Sequence, residues 1–123
     1  MTPEAAFSAW LAGAVGATAY ADGHVPDSAA YPFATFSLPA SAWGDAPAAA
    51  TVDLWTRGEG EAATNALARK LSAAIGLGGA MVACDGWGMW LTRGEPWCQP
   101  VTDEDPVVSR RRINVSVEWI TTD

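Results

Sequence analysis

The segment at residues 107–120 alternates, with Ile113, Val115, Val117 and Trp119 separated one by one by Asn114, Ser116 and Glu118. A period of two places successive side chains on opposite sides of a strand, so this segment predicts a long strand with one face in a core and the other wet. A chain that contains such a strand must also supply something apolar to cover it. At residues 61–75, Ala63, Leu67, Leu71 and Ile75 recur four apart on one helix face, with Arg69 and Lys70 toward the negative C-terminal end. The helix is about 22 Å long at 1.5 Å per residue, enough to cover a small sheet. Gly76-Leu77-Gly78-Gly79 stops it, and lacks the Lys-Ser/Thr ending of a phosphate loop.

The other elements read more locally. Thr2-Pro3-Glu4 opens a helix over residues 3–14, with a hydroxyl at the N-cap, proline at the first helical position and an acid facing the positive dipole end. Phe7, Trp10, Leu11 and Ala14 form its apolar stripe, and Gly13 and Gly16 weaken its far end. Residues 18–20 read as a short strand and 21–30 as turn and loop. Residues 31–38 form an aromatic-rich strand with Pro32 near its start, 39–47 a loop that carries Trp43, and 49–57 a strand with Val52 and Leu54 on one face and Asp53 and Trp55 on the other. Residues 80–84 and 87–92 flank the hairpin signal Asp85-Gly86. Residues 95–101 predict a separate short edge strand, kept irregular by Pro96 and Pro100, before a turn at 103–106.

This order predicts one α+β domain over residues 1–123, an antiparallel sheet with two helices packed on one face. Val52, Leu54, Leu67, Leu71, Ile75, Ile113, Val115 and Val117 are its expected core.

Charge narrows the partners. Fourteen acidic against seven basic side chains give a net charge of −7, which argues against wrapping nucleic acid and against an anionic membrane surface. No apolar run approaches the roughly 20 residues of a membrane span, and the N-terminus lacks the basic region and apolar stretch of a signal peptide. The expectation is a chain that begins near Met1 in a cytoplasm, with Cys84 and Cys98 as free thiols. With 50% hydrophobic and only 17% charged residues, against about 25% charged in a typical domain, too much surface is uncharged for a comfortable monomer.

The inventory for chemistry is poor. One histidine, His24, sits in a loop, and no nucleophile or base accompanies it. Asp103-Glu104-Asp105 could offer oxygens to a cation, but Pro106 and Val107 follow where a calcium loop needs further ligands, so the segment reads as a solvated turn. Asn114-Val115-Ser116 matches a glycosylation pattern inside a predicted strand, a coincidence of composition. The expectation is therefore no catalysis, no metal and no cofactor.

Two features point instead to contacts. Arg110, Arg111 and Arg112 form the one basic run. It reads either as a solvated strand edge paired with nearby acids or as a docking point for another subunit, facing Asp103, Glu104 and Asp105 or Glu59 and Glu61. Seven tryptophans are many for this length. Trp10, Trp55 and Trp119 fall in periodic elements and are expected in the core, while Trp43, Trp87, Trp90 and Trp97 fall in loops or edge hairpins. These last read as protein-contact anchors or as a sugar-stacking platform, and the latter is the alternative function, a carbohydrate-binding module.

Tyr31-Pro32-Phe33, then Val52-Asp53-Leu54-Trp55-Thr56-Arg57 running into the long helix, then the closing Arg112-Ile113-Asn114-Val115-Ser116-Val117 resemble the small tail-terminator and tail-completion proteins of long-tailed bacteriophages. The resemblance runs from about Phe7 onward, and residues 43–47 and 87–97 match no part of the pattern. It implies a virion protein, assembled in the host cytoplasm as a ring, often a hexamer. Such a ring caps the tail tube protein and joins it to the head-tail connector protein. DNA is then a passing cargo, and a bore without clustered cations does not hold its phosphates.

Overall fold

The computed structural model describes residues 1–39, 47–58 and 60–121. Helix α1 (Pro3–Val15) leads to strands β1 (Thr18–Ala21), β2 (Phe33–Ser37) and β3 (Ala48–Arg57). Helix α2 (Gly60–Ile75) is followed by β4 (Ala80–Cys84), β5 (Trp87–Val101) and β6 (Val108–Thr121). The six strands form one sheet in the order β1-β2-β3-β6-β5-β4. The strand first recognised by its alternation, β6, is thus an inner strand between β3 and β5.

Local chemistry sets the helix ends. Thr2 Oγ1 accepts the Ala5 N–H at 3.2 Å, Pro3 occupies the first turn, and Gly16, in the left-handed region at φ 70°, donates its N–H to Ala12 O. Asp85 N–H donates to Met1 O at 2.9 Å, which ties the start of α1 to the β4–β5 turn.

The core is as the periodicity predicts. All eight expected residues are buried, joined by Phe7, Leu11 and Val15 of α1, Ala34 and Phe36 of β2, and Met89 and Leu91 of β5. Both helices lie on one face. Helix α2 lies across β3, β6 and β5, while α1 touches β1 and β2 at one edge of the sheet and β4 at the other, so the sheet curls around the helices. Burying a leucine such as Leu71 contributes about 1.5–3 kcal/mol. Polar groups enter this layer in partnership, as where Thr56 Oγ1 and Thr64 Oγ1 share a hydrogen bond of 2.8 Å between β3 and α2.

Two expectations are corrected. The sheet is mixed rather than wholly antiparallel, because β1 pairs parallel with β2, Thr18 opposite Phe33 through Ala21 opposite Phe36. The loop at residues 22–32 carries the chain back to the starting end before β2 begins. Residues 95–101 are also not a separate strand. They continue β5 past a bulge, since Arg93 pairs with Val115 and Cys98 with Ile113. At Gly94 a Cβ would stand 2.8 Å from Asn114 O, so only glycine fits, and Asn114 Nδ2 donates to Pro96 O at 2.6 Å to hold the bulge down.

Candidate functional site on the open face of the sheet

The face without helices is built in cross-strand rows. In the first row Phe33 of β2 pairs with Trp55 of β3, and Trp55 with Arg110 of β6. The Phe33 and Trp55 rings stack at 5.7 Å and 18°, and the Arg110 guanidinium carbon sits 4.2 Å from the Trp55 ring centre. Both faces of that indole are therefore taken. Its Nε1–H donates to Thr35 Oγ1 at 3.1 Å, and Tyr31 and Tyr20 close around Phe33 at 5.0 and 5.9 Å.

The second row centres on Asp53, which pairs with Thr35 on one side and Arg112 on the other. Asp53 is buried yet carries two guanidinium groups. Arg112 Nε donates to Oδ1 at 3.0 Å and Nη2 to Oδ2 at 3.2 Å, while Arg110 donates to Oδ2 through Nε at 2.9 Å and through Nη2. The hydrogen bonds and charge of Asp53 push the Arg112 pKa up, with Asp22 adding a smaller push. A carboxylate held between two guanidinium groups serves as an anchor between strands.

Arg111 points the other way. It is buried on the helix side, 3.4 Å from Glu61 Oε1, and its Nη1 donates to Arg110 O at 3.1 Å. The three arginines thus occupy both faces of an inner strand, not the solvated edge expected from their run. Of the acids set against them, Glu61 meets Arg111, while Asp105 pairs with Arg57. Asp103 Oδ2 accepts the Asp105 N–H at 3.1 Å, and Glu104 is exposed. Glu59 and Trp43 lie outside the described residues.

The tryptophans are scattered. Trp87 and Trp90, three apart in β5, face opposite sides of the sheet. Trp87 meets Trp119 edge to face at 6.2 Å, Trp90 pairs with Met81 and Glu118 on the open face, and Trp97 packs against the core at the bulge. Among the described residues these tryptophans form no common stacking platform. Trp55, expected in the core, lies on the open face, whereas Trp10 and Trp119 pack half-buried against the core.

Chemistry remains sparse. His24 is exposed in its turn, both cysteines are free, and burial pushes the Cys84 thiol up. Among the described residues no three His, Cys, Asp or Glu side chains come together to hold a metal ion. No described helix is long and apolar enough to cross a membrane. A groove of about 610 Å³ crosses the open face, lined by Thr92, Gln99, Asn114 and Ser116 beside the bulge.

Sequence reasoning missed Asp53 as the hub. Its one signal is an acid between Val52 and Leu54 in a strand whose opposite face is core.

These features define a class of protein, a small mixed-sheet scaffold whose ionic groups fasten its own strands. No family model matches the sequence, and no curated protein does. Among solved structures, the fold is similar to a chain of the virion of a native gene transfer agent (GTA) particle. The TM-score is 0.55 at 20% identity, over 89% of this chain and 84% of that one. At that identity the likeness shows the fold.

Proposed function

We propose that this chain is a structural virion protein that forms a ring, terminates a phage-like tail tube and joins it to the head connector. The observation that carries this reading is the likeness of its fold, over 89% of its length, to a chain of an assembled gene transfer agent virion. The charge distribution supports it. The chain is net −7, and Arg57, Arg110, Arg111 and Arg112 are paired with its own carboxylates, so a DNA-facing surface would not grip phosphates. Its role is then structural rather than catalytic. Arg110, Arg111 and Arg112 hold the subunit itself, and contact between subunits falls to what in-chain pairing leaves outward, such as Glu104 and Trp90. No observation favours the carbohydrate-binding alternative.

The test is to produce particles with and without this chain and image them by electron microscopy. Without it, tails of uncontrolled length or unjoined heads and tails are expected, with complete particles restored by adding the purified protein. Complete particles formed in its absence would overturn the reading.

A further inference from the structure

Resting on that reading, we propose that neighbouring copies of this chain meet where Arg69 and Lys70 of one receive the acidic β5–β6 turn of the next, over a groove along α1. The cations make the first argument. Arg57, Arg110, Arg111 and Arg112 are engaged with carboxylates of the same chain, and Arg93 Nη2 donates to Ser72 O at 3.0 Å. Arg69 and Lys70, adjacent and exposed on α2, are what remains. The Lys70 ammonium lies over the C-terminal end of α1, where a Cβ on Gly16 would stand 4.0 Å from Nζ.

Helix α1 supplies the floor. Glu4 is its one charged residue, and its outward side is built of Ala5, Ala9, Ala12 and Gly13. A helix with so few polar residues belongs in an interior, yet here that side borders a shallow groove of about 680 Å³ between Ala5, Ser8, Ala9, Ala12, Gly16 and Thr18. Small side chains let a partner's backbone come close. Because Glu4 stands at one end and Lys70 at the other, an acidic segment is accepted at the Gly16 end and repelled at the start of the helix.

Charge complementarity selects the occupant. In the β5–β6 turn, Glu104 is exposed next to Asp103, and Val107 is 48% exposed beside them. The turn therefore offers carboxylates and an apolar side chain together, as the groove requires. Its own chain cannot use it so. The Arg57–Asp105 pair fixes the turn near the start of α2, whereas Arg69 lies eight residues beyond Glu61, about 12 Å along the helix. Two different surfaces that match between copies make a head-to-tail contact, which closes into a ring when the rotation allows. The charges set register and reject wrong partners, and the apolar floor supplies the remaining affinity.

Sedimentation velocity of the full chain tests this at low and high salt. Arg69→Glu with Lys70→Glu, or Asp103→Lys with Glu104→Lys, should each weaken assembly at least tenfold, and combining all four should restore it. Added salt should weaken the parent and partly restore assembly of each reversed set, where it screens like charges. If a reversed pair fails to fold, as judged by its melting curve, Arg69→Ala with Lys70→Ala takes its place. The proposal is overturned if the assembled parent and the reversed variants sediment alike, if the fourfold variant is not restored, or if the parent is monomeric while still present in particles. A chain missing from particles overturns the ring reading instead.

Discussion

The two faces of this sheet are held by different physics. On the helix side, Val52, Ile113, Val115 and Val117 meet Leu67, Leu71 and Ile75, and cohesion is nondirectional burial. On the open side, cohesion comes from matched pairs, Phe33 on Trp55, Arg110 over Trp55, and Asp53 between two arginines. Only the first kind needs a second layer. The directed pairs let a sheet keep one face bare of helices while β2, β3 and β6 stay in register. The difference teaches that the arginine run, which looks in sequence like a surface waiting for a partner, is in large part the fastening of the subunit itself.

The largest expected effect lies on the buried side. Leu71→Ala should cost about 2–5 kcal/mol in chemical denaturation, the range for a large-to-small change in a core. A loss below about half a kcal/mol would show that α2 is not the cover of this sheet.

Asp53→Asn is the matching cut on the open side. It leaves Arg110 and Arg112 without their anion, and hydrogen bonds to charged groups are each worth about 1.5–3 kcal/mol. The expected loss is within that range and smaller than that of Leu71→Ala. In a double-mutant cycle, Arg112→Gln added to Asp53→Asn should cost less than the sum of the two. Additive losses would mean that the carboxylate acts alone and the open face is not a connected ladder.

The helix-covered side was the more legible in the sequence because burial writes a period. The spacing of Leu67, Leu71 and Ile75 and the alternation from Ile113 to Trp119 locate α2 and β6 and say which side of each is dry. The open side is written as pairs far apart in the chain. Parity alone places Arg110 and Arg112 on one face and Arg111 on the other, but nothing local names Asp53, 57 and 59 residues away, as their anchor. The direction of β1 is equally hidden, since a strand of four residues has no period to read and its pairing depends on where the loop at 22–32 returns. Pro96 and Pro100 do not end β5, although Pro96 lies in the irregular stretch between Arg93 and Cys98. Beyond Leu91 that strand has no β4 neighbour, so a missing donor on its outer side costs no ladder bond.

A polar pair inside the apolar layer sharpens the contrast. Thr56 and Thr64 satisfy each other at 2.8 Å. Thr56→Val or Thr64→Val alone should cost about 1 kcal/mol by orphaning a buried hydroxyl, while the double valine variant should recover most of the loss. If the double variant loses the full sum, the two hydroxyls are not partners, and the helix side contains a polar fastening of a different kind.

The smallest effect belongs to the rim, where neither burial nor a ladder operates. The Arg57 hydrogen bond, followed by the Val107 N–H, holds the Asp105 carboxyl below its ordinary value of 3.8. A carboxyl depressed by folding contributes stability that is present above its unfolded value and is lost as pH falls through its folded value. Asp105→Asn removes the charge while its amide oxygen can still accept the Val107 N–H that Oδ1 accepts at 3.1 Å. The melting temperature of this variant should therefore lie slightly below that of the parent at neutral pH, and the two should converge in acid as Asp105 is protonated. The pair is exposed, so added salt at neutral pH should shrink the same gap. A gap that persists in acid would mean that the carboxylate acts through its turn geometry and not its charge, and the rim would then belong with the directed pairs of the open face.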